Sequence, residues 1–375
     1  MDSPFVFSQE VVNDNFIGRR DELAWLASNM SKSQNTVLIA PPNSGKKSLI
    51  INAFFQAQKL TDIKLSTISL FNTRDISTFC TKLIHEILSK TCNTSDEWES
   101  YIEKFLPLTK PTIKVSDVKQ NEIQIIFNEQ VLDSFIEEIL QFPEKMALAK
   151  NTHLAVCIEE FQEIMRFEKT KEFQKCCHQQ WQRQDLVCYL LTGNKVNAMH
   201  TLFGEHAPFQ KFGEIIPLEP IEEKLFVDYI IKSYSKSGRV ISKEYADRIC
   251  REVRHQPFYI QQYAHLSWLN TKGFVLDSVM EHTMEDLLNY NEQRFILIVS
   301  DLSTPQISFL RAVIDEVDRF SSSEVIEKYK LNSSANVTRV RGALEKKEIL
   351  QFVRNKPVFI DPVFEIWFRT RYMKN

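Results

Sequence analysis

A short polar segment, residues 40–48, has the residue types and spacing of a phosphate-binding loop. It reads Ala-Pro-Pro-Asn-Ser-Gly-Lys-Lys-Ser, so a glycine and a lysine stand at the sixth and seventh positions of the pattern G-x-x-x-x-G-K-[ST]. In that pattern the amides of the turn, the N-terminus of the following helix and the lysine ammonium hold the phosphates. The segment therefore predicts a nucleotide site made by Pro42, Asn43, Ser44, Gly45, Lys46, Lys47 and Ser48.

The eighth position of the pattern departs from the expected chemistry. A hydroxyl normally coordinates Mg²⁺ there, whereas this chain has Lys47. Shifting the register would give Ser48 that position, but it would put Lys46 where only glycine lets the backbone approach a phosphate cheaply. In the register with Gly45 and Lys46, Ser48 lies about 100° further round the helix and faces away from a metal. A second ammonium at Lys47 would replace part of the magnesium charge, which favours nucleotide binding without ordinary metal-assisted turnover.

Two adjacent carboxylates follow a strand-like apolar run. Residues 154–158 read Leu-Ala-Val-Cys-Ile, and Glu159 and Glu160 come next. In P-loop enzymes the first acid at such a strand end holds the magnesium shell and the second orients or deprotonates the attacking water. We therefore predict Glu159 as an indirect magnesium ligand and Glu160 as the catalytic base; the alternative is a strand whose exit is simply solvated. Asn194, after the next apolar run, is a candidate sensor of the γ-phosphate, although strand ends often finish in Gly and Asn for turn reasons.

Alternating apolar runs and amphipathic helical patterns indicate the elements that position these groups. The alternation extends over residues 36–218 and predicts an α/β domain with a parallel sheet. The five predicted strands are residues 36–40, 64–70, 154–158, 186–192 and 214–218. Residues 92–126 are polar and contain two prolines, so we expect an insertion between the second and third strands.

After Pro220 the pattern changes from strands to helices. We expect four or so helices in residues 221–300. Three helical patterns and a β-hairpin follow, which is typical of a winged helix-turn-helix. The helices cover 305–315, a segment opening at Ser321 with a capping-box pattern to Glu324, and 334–347; the hairpin strands are 349–353 and 358–360. The predicted domains are therefore 1–220, 221–300 and 301–375.

The composition is that of a globular protein with no global charge signal. The chain has 375 residues, 43% of them hydrophobic, and a formal net charge of −3, so any nucleic-acid site would have to be local. No apolar run approaches the roughly 18–20 residues of a membrane span, and the N-terminus lacks a signal peptide pattern. The seven cysteines follow no metal-ligand spacing, which favours reduced thiols. We expect a cytoplasmic protein without a membrane partner.

Together these motifs resemble the archaeal-type ATPases of the STAND class, which are P-loop ATPases related to AAA+ proteins, especially the versions abundant in Bacteroidetes. The resemblance covers nearly the whole chain and includes residues 16–23, Phe-Ile-Gly-Arg-Arg-Asp-Glu-Leu, which look like the family's F-x-x-R-x-x-E-L motif. It also includes the opening residues 3–7, the loop at 40–49, and the segments 158–162, 192–194, 207–209 and 255–261, with the winged helix at the end.

The resemblance implies a P-loop domain of the ASCE or AAA+ type, a helical lid and ATP or ADP as the ligand. Lys46 would bind the β- and γ-phosphates, and Pro257 would pack near the base. The adenine would be bordered by Ile17, Gly18 and Arg19. The departures from the family pattern are Lys47 for Ser or Thr, Glu159 for Asp, His255 for the lid glycine, and the absence of arginine between Arg183 and Arg239, where Lys211 is the nearest substitute for an arginine finger. Together they disfavour hydrolysis more than binding.

Three functions stay open at this level. The favoured one is an ATP-binding STAND-type switch, in which nucleotide binding closes the lid and the winged helix. Hydrolysis is slow or lost, and an unknown protein partner binds one of the two states. The second is a DNA-binding or scaffold protein built on a degenerate P-loop, in which Arg339 and Arg341 would contact DNA. This function is not favoured, because Glu345 and Glu348 reduce the positive charge of that helix face. The third is an active Mg²⁺-dependent ATPase.

Overall fold

The computed structural model describes residues 2–116 and 122–374. These residues form two compact units. One comprises residues 19–219, and the other combines the N-terminal residues up to Gly18 with the chain from Pro220 onward.

The unit of residues 19–219 is built from alternating helices and strands. In chain order its elements are α1 (Arg20–Ser31), β1 (Thr36–Ile39), α2 (Lys46–Ala57), β2 (Ile63–Ser69), α3 (Ile76–Thr91), α4 (Ser95–Phe105), β3 (Thr112–Ser116), β4 (Glu122–Ile126), α5 (Glu129–Lys150), β5 (His153–Glu159), α6 (Thr170–Trp181), β6 (Val187–Gly193), α7 (Val196–Phe203) and β7 (Glu214–Pro217). A short 3-10 helix, Phe161–Arg166, follows β5.

A five-stranded parallel sheet forms the centre of this unit and confirms the predicted α/β fold. The strand order is β2-β5-β6-β1-β7, and all four pairings are parallel. Every residue of β6 and all but one residue of β5 are buried, because helices cover both faces of the sheet. Strand β6 therefore lies between β1, which leads into the phosphate loop, and β5, which ends in Glu159.

The described residues of the segment predicted as an insertion form a helix and two strands. Helix α4 is followed by β3 and β4, which pair antiparallel. The buried carboxylate of Glu138 on α5 accepts hydrogen bonds from the backbone amides of Leu108 and Thr109 and from the Thr109 hydroxyl. A buried carboxylate needs such donors, so these bonds fix the insertion on α5.

The second unit contains the helical region and the winged helix, as predicted. Its further elements are α8 (Glu223–Lys236), α9 (Lys243–Glu252), α10 (Pro257–Asn270), α11 (Asp277–Ser300), α12 (Thr304–Ile314), α13 (Ser323–Lys328), α14 (Ser334–Lys346), β8 (Leu350–Val353), β9 (Lys356–Phe359) and α15 (Pro362–Trp367). Strands β8 and β9 pair antiparallel as the wing. No helix among the described residues is long and apolar enough to cross a membrane.

The capping box predicted between Ser321 and Glu324 is wrong, because α13 begins one residue later than predicted. The N-cap of α13 is Ser322, whose hydroxyl accepts a hydrogen bond from the amide of Val325 at 3.4 Å. A capping box is instead present at α12, where the Gln306 side chain accepts a hydrogen bond from the amide of Ser303 at 2.9 Å.

The N-terminal residues pack with the helical unit. The Phe5 side chain is buried, with its ring centroid 5.7 Å from those of Tyr229 and Tyr234. Phe7 contacts Phe258 and His265. These apolar residues therefore belong to the same compact unit as the helical region. The predicted three-domain division stays a prediction.

Candidate nucleotide site

The loop between β1 and α2 has the backbone conformation that a phosphate-binding turn requires. Gly45 has a φ of 85° and Asn43 a φ of 64°, both in the left-handed region. Glycine adopts this conformation without cost, and asparagine tolerates it better than most residues. Helix α2 begins at Lys46, so its first amide groups have no acceptor inside the helix. The loop therefore presents the positive end of a helix next to a tight turn.

The ammonium of Lys46 is held against the loop. Its Nζ donates to the carbonyl oxygens of Ala40, at 2.6 Å, and Pro41, at 2.9 Å. A phosphate at the loop would offer the ammonium a stronger, charge-assisted acceptor than either carbonyl. The position of Lys46 therefore fits its predicted role. Ser48 is buried in α2, and its carbonyl accepts a hydrogen bond from Asn52.

Arg19 supports the loop. Its guanidinium donates to the carbonyl oxygen of Ser44 at 3.1 Å and pairs with Glu22 at 3.2 Å. Burial lowers the pKa of Arg19, and the nearby Glu22 opposes that shift. The Nε of Arg19 and the hydroxyl of Ser44 are buried, and neither has a hydrogen-bond partner among the residues that the structure describes. Buried polar atoms are normally hydrogen-bonded, and a ligand bound at the loop would be one way to satisfy these two.

Three other residues that the resemblance placed at or near the adenine belong to the helical unit. Ile17 packs against the apolar core of that unit. Gly18 has a φ of 69°, and a Cβ there would lie 2.8 Å from Cγ2 of Ile221, so glycine is required both by conformation and by space. Pro257 is the first residue of α10, where its missing amide costs no hydrogen bond. Their roles at the base stay predictions.

Lys47, at the position of the missing hydroxyl, forms an ion pair with Glu159. Its Nζ lies 2.8 Å from Oε2 of the carboxylate. The Lys47 side chain is 62% exposed and that of Glu159 only 12%, so a largely exposed cation pairs with a largely buried anion. The residues at the two predicted magnesium positions therefore bind each other.

Glu160 and Asn194 meet at the carboxyl edge of the sheet. Glu160 has a φ of 55°, and its carboxylate accepts hydrogen bonds from the amide groups of Asn194 and of Gln162, the latter at 2.7 Å. Strands β5 and β6 are parallel neighbours, so residues that follow them lie side by side. The structure thus brings the predicted base and the predicted sensor together, and their roles stay predictions.

Sequence reasoning missed Gln162 and Gly193. Gln162 is buried and bonds to Glu160, while a Cβ on Gly193 would lie 2.6 Å from the Gln162 side-chain oxygen and 2.4 Å from Met199. Glycine at 193 therefore leaves room for Gln162 to reach Glu160. Gln162 was noted in the run 158–162. The sequence alone could not show whether its side-chain amide contacts Glu160 or solvent.

The two arginines predicted as DNA contacts differ in their surroundings. Arg339 is exposed on α14 and contacts Asn336 on the same helix. Arg341 stacks over the ring of Phe352, 3.9 Å from its centroid, and donates to Asn355 in the wing. Arg341 therefore ties helix to wing, whereas Arg339 faces solvent.

Comparisons with known proteins agree with this architecture. A family model described as a probable winged helix domain matches residues 293–370. No curated protein matches the chain significantly. Among solved structures, a Walker-type ATPase of Pyrococcus abyssi is similar with a TM-score of 0.69 and 14% identity, over 97% of this chain and 99% of that one.

Two proteins of Aeropyrum pernix are also similar. Its ORC2 protein, solved as ADPNP–ADP complexes, gives a TM-score of 0.58 at 11% identity, over 94% of this chain and 93% of that one. Its ORC1 protein, solved in complex with DNA, gives 0.53 at 12% identity, over 98% and 96%. At these identities the likeness shows a shared fold: an AAA+-like P-loop domain, a helical region and a winged helix.

Proposed function

We propose that the protein binds an adenine nucleotide at the β1–α2 loop and works as a nucleotide-gated switch of the STAND type. The observation that carries the proposal is the loop, where left-handed Gly45, the start of α2 and the ammonium of Lys46 converge. The buried, unpaired atoms of Arg19 and Ser44, counted over the described residues, support it. The fold shared with a Walker-type ATPase, and with a protein solved with ADPNP and ADP, points the same way.

In the proposed switch the helical lid and the winged helix move as one body. Arg254, just before α10, donates to the carbonyl of Phe359 at 3.0 Å, and Gln256 donates to the carbonyl of Ile360 at 2.8 Å. Such bonds between the lid and the wing make independent motion of the two costly. Nucleotide would favour a closed state of this body on the α/β domain, and its release would expose a surface for a protein partner.

Hydrolysis in this proposal is slow or lost, because Lys47 and Glu159 neutralise each other where metal-assisted chemistry needs oxygen ligands. An ATP hydrolase is the second candidate. The specific observation that favours it is Glu160, which is oriented by Asn194 and Gln162 as a catalytic base would be.

The proposal is tested by titrating the protein with ATP and ADP in a calorimeter. We expect measurable affinity for the wild type and a loss of at least about tenfold in Lys46→Ala, because a charge-assisted phosphate contact is removed. Lys59→Ala is the matched control, since Lys59 is exposed just beyond the same helix. Absence of binding by the wild type at millimolar nucleotide would refute the proposal.

A further inference from the structure

The magnesium position of the proposed site has a donor set that does not fit magnesium. Mg²⁺ requires oxygen ligands in near-octahedral geometry at about 2.1 Å. The side chain of Lys47 offers no oxygen, and its ammonium lies 2.8 Å from the carboxylate oxygen of Glu159. A divalent ion bound at Glu159 would meet a positive charge at short range in a partly buried setting, which is unfavourable. The fold implies the metal, but these residues do not accommodate it.

The positive charges around the loop favour the binding of a highly charged anion. Helix α2 starts with Lys46 and Lys47 and has no acidic residue in its first turn. Cations at a helix N-terminus are disfavoured by the helix dipole, so two adjacent lysines there favour an anion close by. Glu159 offsets one of them. A di- or triphosphate at this helix end would be stabilised by the helix dipole and by the lysine ammonium groups together.

The exposure of Lys47 allows its ammonium to reach a phosphate. Its side chain is 62% exposed and has a long flexible stem, whereas Glu159 is fixed at the end of β5 with 12% exposure. A lysine ammonium is a compact charge with three donors. It can therefore bridge the Glu159 carboxylate and a phosphate oxygen, which is the electrostatic task that a metal performs in other P-loop sites.

We infer that the ammonium of Lys47 takes the place of the metal ion, and that this site binds the metal-free form of a nucleoside di- or triphosphate. The inference rests on the proposed function, since it names the form of the ligand bound at the same loop. Magnesium in solution then competes with the protein for the nucleotide. Binding weakens, or stays unchanged, when the metal is added.

The test compares the dissociation constant of the fluorescent nucleotide mant-ADP in EDTA and in MgCl₂, using the full chain. We expect wild-type binding in EDTA to be equal to or tighter than in MgCl₂. Lys47→Ser supplies the missing hydroxyl and frees Glu159, so its binding is expected to be about tenfold tighter in MgCl₂ than in EDTA. Lys59→Ser removes an exposed ammonium beyond the same helix and should behave like the wild type.

The outcomes separate this inference from the proposed function. Wild-type binding that tightens in MgCl₂ overturns the inference and leaves nucleotide binding intact. Absence of binding in both buffers removes the proposed function and the inference with it. If a thermal melt shows that Lys47→Ser is unfolded, the wild-type comparison between the two buffers decides alone.

Discussion

The guanidinium of Arg294 on α11 lies 2.7 Å from the carboxylate of Asp361, which is the N-cap of α15. The same carboxylate accepts a hydrogen bond from the buried hydroxyl of Tyr259 at 2.7 Å, and its other oxygen accepts the amides of Val363 and Phe364 at 3.0 Å. One aspartate therefore caps α15 and binds residues of α10 and α11. These bonds add to the apolar core that the helical region and the winged helix share.

Asp361→Ala should destabilise that unit strongly. The substitution removes the cap, which contributes about 0.5–2 kcal/mol. It also leaves the buried Tyr259 hydroxyl without one of its partners, at a further cost of about 1–3 kcal/mol. We expect a loss of about 2–4 kcal/mol in the free energy of unfolding, measured by chemical denaturation. Asp318→Ala is the control. Asp318 is 86% exposed, and its ion pair with Lys356 is long, at 3.8 Å, and lies in solvent. Equal effects of the two variants would contradict the role of Asp361.

Arg19→Lys should weaken nucleotide binding, although Arg19 contacts the loop only through the backbone carbonyl of Ser44. A lysine ammonium cannot reproduce the two-pronged contact with the Ser44 carbonyl and Glu22. The loop would lose the bond that fixes its turn, and we expect roughly tenfold weaker affinity for ADP by calorimetry. Arg20→Lys is the matched control, since Arg20 is exposed at the start of α1. Unchanged affinity in Arg19→Lys would show that the loop holds its shape without this brace.

Arg341→Ala should lower the stability of the winged helix, whereas Arg339→Ala should not. Arg341 loses its stacking on Phe352 and its bond to Asn355, which together contribute about 1–2 kcal/mol. Chemical denaturation of the two variants measures the difference. For the same reason we expect little duplex DNA binding at physiological salt, because Arg341 is engaged inside the domain. A salt-dependent electrophoretic shift that Arg339→Ala abolishes would instead favour the DNA-binding alternative.

The sheet and the phosphate loop could be predicted from the sequence because both depend on local patterns. Apolar runs gave the five strands to within about two residues, which is the usual scatter of element ends. The sequence showed that Glu160 and Asn194 each follow a strand-like run, and the parallel pairing of β5 with β6 brings the two residues together. In contrast, three consecutive serines at 321–323 offered equal caps for α13, and only the helix geometry selects Ser322.

The ion pair between Lys47 and Glu159 was not predictable in the same way. The sequence identified each residue as anomalous or acidic, but their contact depends on the strand order and on a rotamer of a long side chain. The position of Phe5 likewise depends on tertiary packing, because its contacts with Tyr229 and Tyr234 join residues that are far apart in the sequence. Pattern analysis therefore finds the groups of a site and leaves their pairing to the fold.

Turnover of ATP should depend on both Lys47 and Glu160. We expect phosphate release from ATP in MgCl₂ to be slow for the wild type and to rise at least about tenfold in Lys47→Ser, because Glu159 no longer pairs with an ammonium. Adding Glu160→Gln to Lys47→Ser should remove that gain, since a general base contributes about a hundredfold or more. Glu168→Gln, which changes an exposed carboxylate nearby, should leave the gain intact. A gain that survives Glu160→Gln would mean that the carboxylate held by Asn194 and Gln162 is a structural group and that the water is activated elsewhere.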